Sequence, residues 1–165
     1  MKMVKKLIIA SLVIGFCACE RTTFYNPYAQ LEADVAKIDE YLEENDIEAM
    51  RSNSGLRYVI HEPGIGAIPQ KGNKVIVHYT GTLFDGTKFD SSYDRGEPFE
   101  YTHGTGSVIQ GWEEGITYIS ERGKITLYVP SVLAYGSRSI ENEEDSVIIE
   151  PNSNLIFDIE LLSVQ

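Results

Sequence analysis

Val75-Ile76-Val77-His78-Tyr79-Thr80-Gly81-Thr82-Leu83-Phe84-Asp85-Gly86-Thr87-Lys88-Phe89-Asp90 is the stretch from which the architecture can be worked out. Val75, Val77 and Tyr79 fall on one face and Ile76, His78 and Thr80 on the other, which is the two-residue period of a strand. Asp85-Gly86 tolerates the positive φ of a tight turn, so the stretch reads as a β-hairpin closed by Phe89 and Asp90. A lone hairpin is marginal in water, and the flanking chain must supply a sheet for it to join.

That chain does so on both sides. Leu56 to Ile60 alternates as a short strand, and His61 to Gly72 is rich in turn residues. After a polar loop from Ser91 to Glu97, Pro98 to Thr102 reads as a strand with Phe99 and Tyr101 on one face. Lys124 to Pro130 alternates through Ile125, Leu127 and Val129, and Leu155 to Val164 through Leu155, Phe157, Ile159 and Leu161. Between them Val108, Trp112, Ile116 and Ile119 share one helical face, with Ser107 placed to cap the helix and Glu113 and Glu114 early in it. Gly111 and Gly115 each cost such a helix about 1 kcal/mol, which implies that a bulky neighbour or a ligand approaches its backbone. No long crossover helices separate the strands. The expected fold is therefore α+β: a curved antiparallel β-sheet wrapped around one short α-helix, with an N-terminal helical extension.

The N-terminal segment has a different character. Lys2, Lys5 and Lys6 precede the apolar run Leu7 to Phe16, which suits an export signal and is too short to span a bilayer. Phe16-Cys17-Ala18-Cys19 resembles a bacterial lipoprotein cleavage site, with Cys19 as the residue to be lipidated. Both cysteines lie here, so the folded domain is expected to hold no internal disulfide. A tether follows, and Gln30 to Met50 reads as an acidic amphipathic helix with Leu31, Val35, Ile38 and Leu42 at helical spacing and a break near Asn45-Asp46. It would lie on the main domain or pair weakly with a second copy. The division expected is a signal peptide over 1–18, tether and helix over 19–54, and the main domain over 55–165.

The formal net charge of −11 argues against a nucleic-acid partner, which would require a clustered positive field. Gly64-Ile65-Gly66 and Gly104-Thr105-Gly106 lack the third glycine and the strand-to-helix setting of a nucleotide cradle. His61, His78 and His103 are far apart, and neither a metal-ligand spacing nor a nucleophile elbow occurs, so no cofactor or metal is expected. The run Glu141, Glu143, Glu144, Asp145 lacks the pattern of a Ca²⁺ loop and reads as solvated. What stands out is a supply of rings near strand ends and loops: Tyr79, Phe89, Phe99, Tyr101, Trp112, Tyr135 and Phe157.

Around those rings, five segments follow one another in an order and spacing that resemble the FKBP-type peptidyl-prolyl isomerases. They are Val77 to Gly81, Lys88 to Ser92, Val108-Ile109-Gln110-Gly111-Trp112-Glu113-Glu114-Gly115, Ala134-Tyr135-Gly136 and Asn154-Leu155-Ile156-Phe157-Asp158. The resemblance runs from Leu56 to Gln165. With the leader and the acidic helix, the chain resembles the lipid-anchored members of Gram-negative bacteria.

The resemblance implies a pocket for a proline ring, with Trp112 as floor, Tyr79, Phe99 and Phe157 as walls, and Val108 and Ile109 along one side. Phe89 and Asp90 would border the carbonyl before the proline, with Arg95 pairing Asp90. The Ile109 N–H would hold the substrate chain, and the Tyr135 hydroxyl would reach a substrate carbonyl. Tyr101, where the family often has Phe, would sit at the pocket edge, and Ile149 on an apolar rim. Glu150-Pro151 replaces a common double proline, and the loop Ser137 to Val147 is acidic and long; both bear on substrate preference.

The function implied is isomerisation of Xaa-Pro bonds in exported proteins, by an enzyme lipid-anchored to a cell-envelope membrane and facing the periplasm or the exterior. Rapamycin and tacrolimus would be ligands. The alternative is a module that binds proline-containing or apolar segments, as a chaperone would, with little turnover.

Overall fold

The computed structural model describes residues 25–165; the expected signal peptide, Cys19 and most of the expected tether lie outside the described residues. Helix α1 (Pro27–Glu44) opens the described chain and is followed by strand β1 (Met50–Arg51). The main sheet is antiparallel and adds β2 (Arg57–Glu62), β3 (Lys74–Leu83), β4 (Lys88–Ser91), β5 (Phe99–Thr102), β6 (Lys124–Val129) and, last in sequence, Leu155–Val164. Two short helices, α2 (Ser92–Arg95) and α3 (Gln110–Gly115), interrupt it. A separate hairpin of β7 (Ile140–Glu141) and β8 (Val147–Ile149) precedes that last strand, β9. The strand order is β1-β2-β6-β9-β3-β4, with β5 pairing the first half of β3 on the edge that β4 extends.

The hairpin stands where the sequence put it. Its turn uses one positive φ rather than two: Gly86 takes φ 84°, and its N–H donates to the Leu83 carbonyl at 3.0 Å. Val75, Val77 and Tyr79 face the core together with Ile125, Leu127, Val129, Leu155, Phe157, Ile159 and Leu161, and α3 lies across that face. The two helix glycines allow this. A Cβ on Gly111 would stand 2.5 Å from Val129 Cγ1, and one on Gly115 would stand 2.5 Å from Leu127 Cδ1, so the backbone of α3 rests directly on β6.

Four local expectations need correction. Helix α1 begins at Pro27 under an Asn26 cap and ends at Glu44, because Asp46 adopts φ 52°; Met50 belongs to a strand instead. Ser91 to Glu97 is not a plain loop, since the Ser91 hydroxyl caps α2 and Gly96 ends it in the left-handed conformation. Ser107 does not cap α3: Ile109 holds that position without a side-chain bond, and the Ser107 hydroxyl donates to the Thr102 carbonyl instead. The acidic loop is a hairpin, with Asn142 accepting from the Glu144 and Ser146 N–H groups across its turn.

Helix α1 covers the other face of the sheet. Ile38 and Leu42 pack on Tyr128 and Ile156, the outward positions of β6 and β9, with Tyr41, Val59 and Phe84 around them. The stripe left open between the domain and a second copy is thus occupied by the chain's own sheet. Buried Arg57 donates to Asp39 at 2.8 and 3.1 Å and fixes the helix to β2. Among the described residues, no helix is long and apolar enough to cross a membrane.

Candidate active site

The site is assembled around Tyr79 at the middle of β3. Ser91 and Ser92 pin that position: the Ser92 hydroxyl accepts from the Tyr79 N–H at 2.8 Å, and both hydroxyls donate to the Tyr79 carbonyl. The single turn of α2 then returns Arg95 to the strand. Arg95 Nη1 donates to Asp90, Nη2 to the Tyr79 hydroxyl at 3.0 Å, and the Tyr79 hydroxyl itself donates to Asp90. Burial, and next the bond to Asp90, push the Tyr79 phenol up to about 12, so it stays protonated through neutral pH. Two residues along, Gly81 leaves room that Phe89 and Phe157 fill; a Cβ there would stand 2.6 Å from Phe89 Cζ and 3.0 Å from Phe157 Cε1.

Helix α3 brings Trp112 beneath these rings. Tyr79 and Phe157 meet the indole edge to face, with centroids at 4.9 and 5.3 Å and interplanar angles of 84° and 88°. Phe99 does the same at 6.1 Å and 79°. Such perpendicular contacts suit the aromatic quadrupole, and they build walls around an indole face instead of stacking over it. The indole is 4% exposed, and its N–H has no hydrogen-bond partner among the described residues.

Above it opens a hollow of about 600 Å³. Tyr79, Phe89, Asp90, Phe99, Val108, Ile109, Trp112, Tyr135 and Phe157 all line it. The Ile109 N–H has no partner among the described residues, while its carbonyl starts α3 by accepting from Trp112 and Glu113. Burial also raises the pKa of Tyr135. Arg95 stands at the edge through its bonds to Asp90 and Tyr79.

Two rim assignments do not match the geometry. Tyr101 stacks behind Phe99 at 5.9 Å with its hydroxyl buried and unpartnered, in the wall's second layer and not at the pocket edge. Ile149 is 2% exposed within the core, pairs with Ile140 on the small hairpin, and is not among the residues that line the hollow. Gly106, Ser107, Gln110, Ala134 and Arg138 also line the hollow, a role the sequence did not give them. Arg138 is held by its Nε donating to the Tyr135 carbonyl at 3.3 Å.

The chemistry available is binding, exclusion of water and hydrogen bonding. Among the described residues, no group of His, Cys, Asp or Glu could hold a metal ion. His78 is engaged structurally, with Nδ1 at 2.9 Å from the Ser92 hydroxyl and the ring stacked on Tyr93. A family model described as FKBP-type peptidyl-prolyl cis-trans isomerase matches residues 66–162.

The chain belongs to the FKBP-type peptidyl-prolyl cis-trans isomerases. It is similar to Peptidyl-prolyl cis-trans isomerase Fkbp12 of Drosophila melanogaster, at 49% identity over 112 residues, 67% of this chain and 99% of that protein. A third of this chain therefore has no counterpart in the fly protein. FK506-binding protein 1 of Saccharomyces cerevisiae is 50% identical over 103 residues, 62% of this chain and 86% of that protein. FkpA of Escherichia coli strain K12 is 42% identical over 143 residues, 83% of this chain; the chain spans 50% of the length of that relative. The crystal structure of FkpA from Escherichia coli superposes with a TM-score of 0.67 over 84% of this chain and 64% of that one. As a member of this family the chain is a rotamase: it accelerates rotation about Xaa-Pro peptide bonds.

Proposed function

We propose that the hollow over Trp112 is where the bond turns, and that catalysis there is non-covalent. A planar amide owes its barrier of about 18–20 kcal/mol to resonance that separates charge between oxygen and nitrogen. Twisting removes that resonance, so the twisted amide carries less charge separation than the planar one. A ring-lined hollow that displaces water from the bound amide therefore favours the twisted form relative to the planar form. Proline is the fitting substrate because its cis and trans forms differ by only about 0.5–1 kcal/mol, and both are populated.

The residues divide this work. Trp112 receives the pyrrolidine ring, with Tyr79, Phe99 and Phe157 around it and Val108 and Ile109 beside it. The free Ile109 N–H holds the substrate backbone in an extended pose. Phe89 and Asp90 border the carbonyl before the proline, where a fixed carboxylate opposes the negative charge that planarity places on the carbonyl oxygen. Tyr135 donates to a substrate carbonyl. A thousandfold acceleration requires about 4 kcal/mol of preferential stabilisation, which desolvation and a few hydrogen bonds can supply. The single observation that carries this reading is the open hollow of about 600 Å³ above the Trp112 indole. Its test is Xaa-Pro exchange followed by NMR, with Asp90→Ala and Trp112→Ala beside the wild type. Peptide binding without any gain in rate would replace the mechanism with a binding module.

The substrates proposed are proline-containing segments of exported proteins, and the place of action is a bacterial cell-envelope membrane, on a face turned to the periplasm or the exterior. The basic and apolar leader ending at Ala18-Cys19 supports this, with Cys19 as the lipid anchor. Incorporation of a palmitate analogue that disappears in Cys19→Ala supports the anchor; labelling unchanged by that substitution refutes it. Tacrolimus (FK506) should compete for the same hollow, as the name of the yeast relative suggests, and rapamycin should do so on the strength of the family resemblance. Isomerase activity undiminished by saturating tacrolimus refutes that part.

A further inference from the structure

The loop that presents Tyr135 is held from outside the pocket. It starts with a 3-10 turn (Ser131–Leu133), and Ser131 is fully buried with its polar atoms engaged. The Ser131 N–H donates to Asn154 Oδ1 at 3.1 Å, and its hydroxyl donates to Asp34 Oδ2 at 2.6 Å. Its carbonyl accepts from the Ala134 N–H at 2.9 Å and the Gly136 N–H at 2.8 Å, so the backbone is fixed on both sides of Tyr135. Asn154 closes the ring of bonds by donating from Nδ2 to the Asp34 carbonyl at 3.1 Å.

Asp34 is the unexpected member. It is 0% exposed on the face of α1 that buries Ile38 and Leu42, at four-residue spacing where an apolar side chain would continue the stripe. A carboxyl group taken out of water is tolerated only when hydrogen bonded. Both oxygens are: Gln30 Nε2 donates to Oδ1 at 2.7 Å and Ser131 to Oδ2. A helix that only covered the sheet would be served as well by leucine, because replacing buried polar groups with apolar ones is often neutral or stabilising. A buried polar bond instead selects one register of helix against loop. The N-terminal end of the helix approaches the same loop, since a Cβ on Gly136 would stand 3.5 Å from the Tyr25 hydroxyl oxygen.

We infer that α1 is a positioning element for the active site, with Asp34 and Ser131 as the positioning residues that set the 131–136 loop and so place Ala134 and Tyr135 in the hollow. The inference rests on reading that hollow as the site of isomerisation. The extension ahead of the family domain is thus part of the catalytic apparatus, not a spacer alone. Asp34→Asn should work, because an amide can accept from Ser131 and donate to a flipped Gln30, whereas Asp34→Ala cannot.

The test compares Asp34→Ala, Asp34→Asn, Ser131→Ala and the double alanine variant with the wild-type chain. Asp39→Asn serves as the control, since it loosens the Arg57 anchor of the same helix without touching the loop. Amide hydrogen exchange at Ala134 and Gly136 is read alongside kcat and KM. Asp34→Ala and Ser131→Ala should each speed exchange there by about tenfold and lower kcat by a similar factor, the scale of one strong hydrogen bond. The double variant should do no more than either single one, and Asp34→Asn should restore both readouts. Asp39→Asn should lower the denaturation midpoint while leaving the two amides and kcat as in the wild type. Wild-type exchange and kcat in Asp34→Ala would overturn the inference, as would equal effects from Asp39→Asn. A wild-type chain without isomerase activity would defeat the reading of the hollow, and the exchange data would still decide whether Asp34 holds the loop.

Discussion

Adding one methyl group at Gly81 tests how closely the pocket rings depend on the strand beneath them. The built Cβ stands 2.6 and 2.7 Å from two carbons of the Phe89 ring and 3.0 Å from Phe157. Ordinary carbon contacts lie near 3.5–4.0 Å, so the Phe89 ring would have to retreat by roughly 1 Å. It cannot move toward Phe157, which it meets edge to face at 5.6 Å. Such overpacking costs about 1–3 kcal/mol, offset by about 0.5–1 kcal/mol because alanine loses less backbone entropy in a strand. The expected net loss of stability is roughly 0–2.5 kcal/mol. Activity should suffer more, because a displacement of about 1 Å in a catalytic wall can cost on the order of a hundredfold. Urea denaturation and kcat/KM on an Xaa-Pro peptide measure the two effects. Gly86→Ala is the contrast: nothing lies within 4 Å of its Cβ, but φ is +84°, so it should cost about 1–2 kcal/mol with kcat/KM unchanged. Wild-type kcat/KM in Gly81→Ala would refute the claim that Phe89 and Phe157 are set by the glycine.

Three further outcomes follow from the same contacts. Arg95→Met frees Asp90 from its cation; both partners are substantially exposed, so stability should change by less than about 1 kcal/mol while kcat/KM falls by up to about fivefold. The Tyr79 phenol is raised from 10.0 to about 12, so the folded form holds its proton more tightly than the unfolded form; this contribution is level below pH 10 and is lost as pH rises through 12. Tyr79→Phe should therefore remove part of the alkaline decline in the denaturation midpoint. The Arg57 hydrogen bond holds the Asp39 carboxyl below its ordinary 3.8, so its contribution is full above that pH and is lost on further acidification; Asp39→Asn should flatten the acid limb of the same titration.

The strands were legible because each has one face that water does not reach. Alternation at Val75, Val77 and Tyr79 and again from Leu155 to Leu161 places those core-facing side chains on the correct side; Val164 joins the same core only through the register shift that precedes it in β9, which alternation does not show. The opposite face was harder to read. Tyr128 and Ile156 break the alternation because α1 covers them, a fact stored in the helix and not in the strands. The α2 turn escaped notice because four polar residues carry no measurable period, and its cause is a serine cap. The β7–β8 hairpin escaped because its acidic tip looks solvated, although Ile149 behind it is core.

For the site, the rings and Asp90 were visible as a spaced set, but depth was not. Sequence order cannot tell that Tyr101 lies one layer behind Phe99. Asp34 could have been found from its place four residues before Ile38, on the buried stripe of its helix.

The hollow floored by the Trp112 indole is proposed to lower the rotation barrier without covalent chemistry. Two-dimensional exchange NMR on a Leu-Pro peptide, with catalytic amounts of wild-type or Trp112→Ala chain, addresses it most directly. Strong cis–trans exchange peaks are expected with the wild type and their loss with the variant, whose backbone amide spectrum should still show a folded sheet. Equal exchange from the two proteins would contradict it.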